Sequence, residues 1–297
     1  MPDRRWFRVF LLSVCLLLAG LAIAVSAGCA PPQAAGGTVP VAVTLLPQAE
    51  FVRGVGGDRV SVTVMVPPGA SPHTYEPEPS QIAALSRAKM YAEVGSGVEF
   101  ELSWMDKLIA QNRGMLVVDC SRGIDLLPGG EGGRGDPHIW LSPKNAEIMV
   151  RNIADGLAQV DPANRAYYEQ QRDAYLQKLE ALDRDLGKKL SGLTGRTFMV
   201  YHPVFGYFAR DYDLEMIAIE NEGKEPQAAD LVRLVQQAKD AGIKVIFAGP
   251  QVNTQSAQVI AREIGGRVVL LDPLAEDYLA NMRRIGDAIV AAGEETR

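Results

Sequence analysis

Residues 161–190 have the sequence DPANRAYYEQQRDAYLQKLEALDRDLGKKL, and this stretch decides the fold. Its apolar side chains recur at steps of seven, four, three, four and four residues, the spacing of one face of an α-helix. Charged residues occupy the opposite face. The members of this apolar stripe are Tyr168, Tyr175, Leu179, Leu182, Leu186 and Leu190.

The ends and length of this helix predict its role. Asp161 is suited to cap the N-terminus, and Pro162 is suited to the first helical position, where no N–H is needed. The pairs Glu180–Arg184 and Asp185–Lys189 support the solvent-exposed face. At 1.5 Å per residue the helix is about 45 Å long, longer than a small domain is wide. It therefore predicts a spine with a lobe at each end, the alternative being a long surface helix of a single domain.

Composition limits the classes of protein to consider. The chain has 297 residues, which favours two domains, and 47% hydrophobic residues, which suffice for sizeable cores. Its formal net charge is −6 at pH 7. This charge argues against a nucleic-acid partner, which would require a basic face.

Short apolar runs alternate with helical patterns on both sides of the spine. The runs are VPVAVTLL, RVSVTVMV, MYAEVGS and MLVVDCS before it, and TFMVYHP, LEMIAIE, IKVIFAGP and RVVLLDP after it. This alternation predicts an α/β fold of two lobes, each with a mainly parallel sheet flanked by helices, joined by one long spine helix. The predicted segments are a signal peptide (1–28), a flexible linker (29–38), an N-terminal lobe (39–160), a linking helix (161–192) and a C-terminal lobe (193–297).

The N-terminus has the pattern of a targeting segment. A basic region at residues 4–8 precedes an almost entirely apolar run at residues 9–27. The run ends in SAGC, which resembles a bacterial lipoprotein signal in which Cys29 becomes the lipidated first residue. Ser26 departs from that pattern, which prefers Leu. Cleavage near Ala27 and an uncleaved membrane anchor are the alternatives, and all three place the protein outside the cytoplasm.

The placement of the histidines is the most informative feature of the chain, which has only three. His73 follows the second predicted strand, His138 precedes a helix, and His202 ends the first strand after the spine. Asp272 ends the last strand. In open α/β sheets ligands bind outside the carboxyl ends of strands. Three imidazoles and one carboxylate suit a tetrahedral site for a divalent first-row metal. Alternatively, the histidines are unrelated surface or core residues.

Four segments around these residues carry a family resemblance. PGASPHTYEPEPSQI, DPHIWLSPKNA, YHPVFGYFARDYDL and LDPLAEDYLANMRR resemble the ligand-bearing segments of the zinc/manganese-type substrate-binding lipoproteins of ABC transporters. The match runs from about Val39 to the C-terminus. The resemblance implies two α/β lobes bridged by one long helix, with the metal held between them by His73, His138, His202 and Asp272. It also implies delivery of the metal to an ABC-transporter permease.

Two departures within that family bear on the metal. Manganese-preferring members typically have Glu at the third ligand position, where this chain has His202. Three imidazoles and one carboxylate favour Zn²⁺ over Mn²⁺, and manganese and iron remain the alternatives. Many zinc members also carry a His-rich loop before the second ligand. Here that place holds LLPGGEGGRGDP (126–137), so we expect no metal gathering by such a loop.

Other residues near the histidines have weaker roles by sequence. We expect Glu76, Glu78 and Asp136 to accept the second ring N–H of a ligand histidine, the alternative being solvated loop charges. Residues 220–222 (Glu-Asn-Glu) follow a second-lobe strand and either line the cleft or are simply exposed. We place four aromatic side chains in the core, of which the first also has the option of walling the site: Trp140, Phe205, Tyr207 and Phe208.

These features favour a monomeric binding protein, held at the membrane by lipid on Cys29, that captures a divalent metal, most simply zinc. We expect no enzyme, since HExxH and GxxxxGK[ST] are absent from the sequence. Three alternatives stay open. They are a zinc hydrolase with three protein ligands and a water, a metal-binding surface adhesin, and a carrier of another ligand such as a metal chelate.

Overall fold

The structure is a computed structural model that describes residues 37–129, 135–220 and 223–295. The predicted signal peptide, Cys29 and most of the predicted linker lie outside the described residues, as do Asn221 and Glu222. From Thr38 onward the chain forms one compact unit. Within the described residues, no helix has the length and apolar character needed to cross a membrane.

Two four-stranded parallel sheets lie on either side of the spine in sequence. The first has the order β2-β1-β3-β4, and the second repeats this order as β6-β5-β7-β8. The strands are Val39–Val43 (β1), Val60–Val64 (β2), Met90–Glu93 (β3), Leu116–Asp119 (β4), Thr197–Val200 (β5), Glu215–Ala218 (β6), Val245–Ala248 (β7) and Arg267–Leu270 (β8). All inter-strand pairs are parallel, which confirms the predicted α/β class.

Helices connect successive strands, as parallel pairing requires. The helices are Leu46–Gly56 (α1), Pro79–Leu85 (α2), Glu99–Gln111 (α3), Pro143–Val160 (α4), Arg165–Leu190 (α5), Gly206–Asp211 (α6), Ala228–Asp240 (α7), Gln255–Glu263 (α8) and Tyr278–Glu295 (α9). Each of the eight predicted strands is present, with helices between them as the alternation predicted. The predicted segment boundaries stay predictions, because the chain from Thr38 onward is one compact unit.

The spine helix α5 buries the predicted stripe completely, together with Leu176. Helical structure starts at Pro162 as predicted, but the predicted cap is wrong. Pro162–Asn164 form a 3₁₀ turn, and the α-helix begins at Arg165. Asp161 does not cap it, because its carboxylate accepts hydrogen bonds from the side chains of Asn164 and Tyr168. With 26 residues, α5 is about 39 Å long rather than 45 Å.

The solvent-exposed face of α5 follows its prediction in part. The Arg184 guanidinium lies 4.0 Å from the Glu180 carboxylate, but both side chains are exposed and contribute little. Lys189 pairs with Asp287 on α9. Its charge therefore ties the spine to the last helix.

Each lobe packs closely on α5 through a glycine. A Cβ on Gly54 of α1 would lie 2.6 Å from the Tyr175 ring, and a Cβ on Gly286 of α9 would lie 2.3 Å from a Leu186 methyl. The start of α9 also reaches the first lobe, where the rings of Tyr278 and Phe51 meet edge to face at 4.8 Å. The spine helix thus packs against both lobes and joins them.

Candidate metal centre

The three histidines meet at the carboxyl ends of the two sheets. His202 lies between the other two, with its ring centroid 5.0 Å from that of His73 and 5.2 Å from that of His138. One ring nitrogen from each histidine lies within 4.8 Å of one from each of the others. Among the described residues, this is the group of His, Cys, Asp and Glu side chains able to hold a metal ion. The structure therefore brings together residues that are far apart in the sequence.

The pairing register of the second sheet positions His202. In that register Val200 lies opposite Ala218, so a step of two residues places His202 beside Glu220. The ladder continues through two backbone hydrogen bonds, from Ile219 N to Val200 O and from Glu220 N to Tyr201 O. His202 Nδ1 lies 3.0 Å from Glu220 Oε1.

His138 is held by residues of both lobes. Its Nδ1 and its backbone N lie 2.7 Å and 2.9 Å from Asp136 Oδ1. Tyr207 of the second lobe donates its hydroxyl to the backbone oxygen of Asp136 at 2.7 Å. A Cβ on Gly206 would lie 2.4 Å from Asp136 Oδ2, so a glycine is needed where α6 approaches this carboxylate. Contacts from the second lobe thus fix the loop that carries His138 of the first lobe.

His73 is the most exposed of the three, with 37% of its side-chain surface accessible. It lies in the loop between β2 and α2. Its Nδ1 lies 3.0 Å from Oε2 of Glu99, the first residue of α3. Two residues later, the buried Glu101 accepts hydrogen bonds from the backbone N–H groups of Val94 and Gly95, which fixes the first turn of α3. Glu99 is therefore presented from an anchored helix end.

A carboxylate beside Nδ1 favours one tautomer of an imidazole. A neutral imidazole whose Nδ1 donates to a carboxylate carries no proton on Nε2, so its Nε2 lone pair is available to a metal. His202 Nε2 is buried and has no hydrogen-bond partner. A buried polar atom without a partner is costly, and a metal ion would satisfy it. In a tetrahedral zinc site with bonds of about 2.05 Å, the three nitrogens would be about 3.3 Å apart.

Asp272, the fourth predicted ligand, is placed differently. It follows β8 as predicted, but it does not belong to the group of three histidines. Its Oδ1 accepts hydrogen bonds from Gln251 Nε2 at 2.8 Å and from Leu274 N at 2.9 Å. Its backbone oxygen accepts from Asn281 Nδ2 at 2.7 Å. Its role as a ligand stays a prediction.

The carboxylates that hold the imidazoles were only partly anticipated. Asp136 takes the predicted role. Glu99 is the carboxylate at His73 Nδ1, in place of the predicted Glu76 and Glu78. Glu220 lines the cleft as one of the two options stated for it, and it contacts His202 directly. Glu99 is the first residue of the helix after β3, and its contact with His73 is made across the fold, so no local sequence pattern points to it.

Burial and charge shift the pKa values of these groups. Burial lowers the pKa of His138, although Asp136 opposes the shift. Burial alone would raise the pKa of Glu99, but its hydrogen bond and charge interaction with His73 outweigh burial and lower it. The same balance with His202 lowers the pKa of Glu220. The two glutamates are therefore charged partners of their imidazoles at neutral pH.

Two cavities flank the three histidines. A cavity of about 380 Å³ is lined by the histidines and by the carboxylates of Glu99, Asp136 and Glu220, and it is the acidic side of the centre. A cavity of about 50 Å³ on the other side is lined mainly by apolar side chains, including Phe205, Phe247 and Leu271. The acidic opening attracts a cation, and the imidazole nitrogens supply the donors that a buried cation requires.

The aromatic residues predicted for the core are buried. Two of them also serve the centre. Tyr207 holds Asp136, as described above. Trp140 lies edge to face with His138 at 5.4 Å and donates its Nε1–H to Pro273 O at 2.9 Å. It therefore joins the His138 segment to the loop of Asp272 across the cleft.

Comparison with known proteins gives one family match. The sequence profile described as "Zinc-uptake complex component A periplasmic" (ZnuA) matches residues 41–292. The chain is 29% identical over 286 residues to the high-affinity zinc uptake system protein ZnuA of Bacillus subtilis (strain 168). This match covers 91% of this chain and 89% of that protein. It is also 30% identical over 278 residues to the zinc-binding lipoprotein AdcA of Streptococcus pneumoniae, of which it spans about half the length (55%).

Solved structures share the fold. A crystal structure of ZnuA is 42% identical, with a TM-score of 0.83, and the match covers 86% of this chain and 99% of that chain. The laminin-binding protein Lmb of Streptococcus agalactiae, described as a bifunctional protein with adhesin and metal-transporting activity, is 26% identical with a TM-score of 0.78. That match covers 86% of this chain and 99% of that one. These matches confirm the predicted architecture of two lobes and a long helix.

Proposed function

Because this chain belongs to the family of zinc-uptake complex component A proteins, we propose that it captures Zn²⁺ outside the cytoplasm and delivers it to an ABC-transporter permease. The observation that carries the proposal is the convergence of three imidazoles from two lobes, with the buried Nε2 of His202 lacking any partner. A centre enclosed by protein ligands stores a metal rather than activating a water for hydrolysis. The proposed function is therefore binding and transfer.

The donor set supports zinc over manganese. Three imidazole nitrogens suit Zn²⁺, whereas Mn²⁺ prefers carboxylate and water oxygens. We propose Asp272 as the fourth ligand. Its two side-chain hydrogen bonds both use Oδ1, and we assign Oδ2 to the metal. In this proposal, binding brings the carboxylate of Asp272 onto the three imidazoles, and His73, His138, His202 and Asp272 form the complete set.

Competition among divalent metals tests the proposal. Chelator-stripped protein is offered equal concentrations of Zn²⁺, Mn²⁺ and Fe²⁺, and the bound metal is identified by elemental analysis. We expect one zinc per chain, and binding that is lost in the H138A/H202A double variant. Preferential retention of manganese or iron would contradict the choice of metal. Binding of zinc by the double variant would contradict the choice of site.

We further propose that lipid on Cys29 anchors the mature monomer to the outer face of the membrane. The SAGC sequence supports this, as does the similarity to AdcA, which is named a lipoprotein. Two acyl chains suffice for stable anchoring. The C29A variant should move from the membrane fraction to the soluble extracytoplasmic fraction. Unchanged membrane association of the C29A variant would favour the uncleaved anchor. Release of the wild-type protein into the soluble fraction would favour cleavage near Ala27.

A metal-binding surface adhesin is a second candidate, favoured by the similarity to Lmb. The test is binding of the metal-free and zinc-loaded protein to immobilised laminin. Saturable binding that persists after chelation would support this second function. Binding no stronger than that to albumin would exclude it, without affecting zinc capture.

A further inference from the structure

Each of the three imidazoles points its Nδ1 at a carboxylate, and two of these carboxylates come from elements that carry no predicted ligand. Glu99 begins α3, and Glu220 follows β6. We propose that Glu99 and Glu220, one in each lobe, are positioning residues that hold His73 and His202 in the Nδ1–H tautomer, so that Nε2 faces the metal. This proposal rests on the proposed function and adds the residues that make it possible.

The two carboxylates are themselves fixed, as a positioning role requires. The backbone N–H of Glu220 continues the β5–β6 ladder by donating to Tyr201 O at 2.9 Å, so the sheet sets its place beside His202. Glu99 is set by the first turn of α3, where the buried Glu101 accepts hydrogen bonds from two backbone N–H groups. Backbone hydrogen bonds at Glu220 and the anchored first turn of α3 at Glu99 therefore hold the two carboxylates in place.

The effect on the metal follows from the chemistry of imidazole. In water, a free imidazole prefers to carry its proton on Nε2, the atom that here must bind the metal. A carboxylate at Nδ1 reverses this preference and increases the basicity of the ligand nitrogen. Together with Asp136, the two glutamates also place three negative charges around a centre that receives a dication and three neutral rings.

The sequence makes a direct measurement possible. All three histidines of the chain belong to this cluster, so the imidazole ¹⁵N spectrum contains only these rings. In metal-free protein at pH 8, where ordinary imidazoles are neutral, the spectrum should show three Nδ1–H tautomers. E99A should convert the His73 ring to the Nε2–H form, and E220A should do the same for His202.

Zinc affinity is the second readout. Each alanine variant should bind zinc about 10-fold to 100-fold more weakly, the usual loss for a residue that orients a metal ligand. E99Q and E220Q keep an acceptor oxygen at Nδ1, so they should restore the Nδ1–H signal and part of the affinity. The matched controls are D106A, on the exposed side of α3, and E225A, whose carboxylate binds the hydroxyls of Tyr201 and Ser256. Both controls should retain the wild-type tautomers.

The outcomes separate the possibilities. Unchanged tautomers in E99A and E220A would overturn the proposal, even if affinity fell, because the carboxylates would then act by charge alone. Altered tautomers with affinities equal to those of the control variants would overturn it as well. The tautomers are read without metal. A wild-type protein that shows three Nδ1–H rings but binds no zinc would thus sink the proposed function while leaving the positioning role in place.

Discussion

The two lobes share one strand order but use their strand ends differently. In the first lobe, the chain after β2 supplies His73, and the chain after β4 supplies His138. In the second lobe, the end of β5 supplies His202, whereas the end of β6 supplies Glu220, which holds an imidazole and does not join the cluster. The shared topology therefore provides the positions, while each loop determines whether a histidine or a supporting carboxylate occupies the position.

The lobes also differ in whether their candidate ligands already lie together in the cluster. Both first-lobe histidines already belong to the cluster, each with a carboxylate at Nδ1. The second lobe contributes one such histidine, and Asp272 remains engaged with Gln251 and Leu274 within its own lobe. Three imidazoles thus lie together across the cleft, and in the proposed site Asp272 is the residue left to move.

Removing an imidazole should have the largest effect. H138A and H202A each remove one imidazole, one from each lobe, and each should weaken zinc binding by orders of magnitude, because the proposed site then keeps only two of its three nitrogen donors. Competition titration against a chelator of known affinity measures this loss. A change below about threefold, equivalent to less than about 0.7 kcal/mol, would remove that residue from the site.

Asp272, the proposed carboxylate ligand of the second lobe, should contribute less to zinc affinity than the imidazoles. D272A should lose less affinity than H202A, because Asp272 lies outside the group of three histidines. Q251A removes only a hydrogen bond to Asp272 and should cost about 10-fold to 100-fold, as for other residues that orient metal ligands. The order H202A, D272A, Q251A is the expected ranking in one titration series. Wild-type affinity in D272A would leave the fourth position to water.

The attachment of each lobe to the spine should differ in stability. G54A pushes a methyl group into the Tyr175 ring, whereas G286A meets only a terminal methyl of Leu186, which is able to turn away. We expect G54A to lower the free energy of unfolding by about 1–3 kcal/mol, and G286A by less. Urea unfolding measures both.

The spine itself provides the control for this pair. Gly187 of α5 has nothing within 4 Å of an added Cβ, so G187A should stabilise the helix by up to about 1 kcal/mol. Equal effects of G54A and G286A would show that the two attachments do not differ in tolerance.

Acid should weaken zinc binding, because protons compete with the metal for the imidazoles of both lobes. Affinity should fall roughly tenfold or more between pH 7.5 and 5.5, as ordinary imidazoles become charged. Burial lowers the pKa of His138. This ring therefore stays neutral to lower pH than an ordinary histidine. A flat affinity over this range would contradict histidine ligation.

Much of this fold was predictable because periodicity reports burial directly. The stripe from Tyr168 to Leu190 is buried as predicted, and the strand-end rule located the three histidines. The start of α5 was not predictable from capping preferences, since Asp161 was drawn to Asn164 and Tyr168.

The contacts of Glu99 with His73 and of Glu220 with His202 were not predicted, for a different reason. Glu76 and Glu78 are neighbours of His73 in sequence, but the contact with Glu99 is made across the fold. The pair of His202 with Glu220 depends on a strand register that periodicity does not specify. Local pattern therefore finds the ligands more readily than their supports.

The central claim is that imidazoles of both lobes hold one zinc ion. A crystal structure of the zinc-loaded protein, with anomalous diffraction at the zinc edge, tests it most directly. We predict one strong peak about 2.0–2.1 Å from Nε2 of His73, His138 and His202. A zinc peak elsewhere, or one bound only by histidines of a single lobe, would contradict the account.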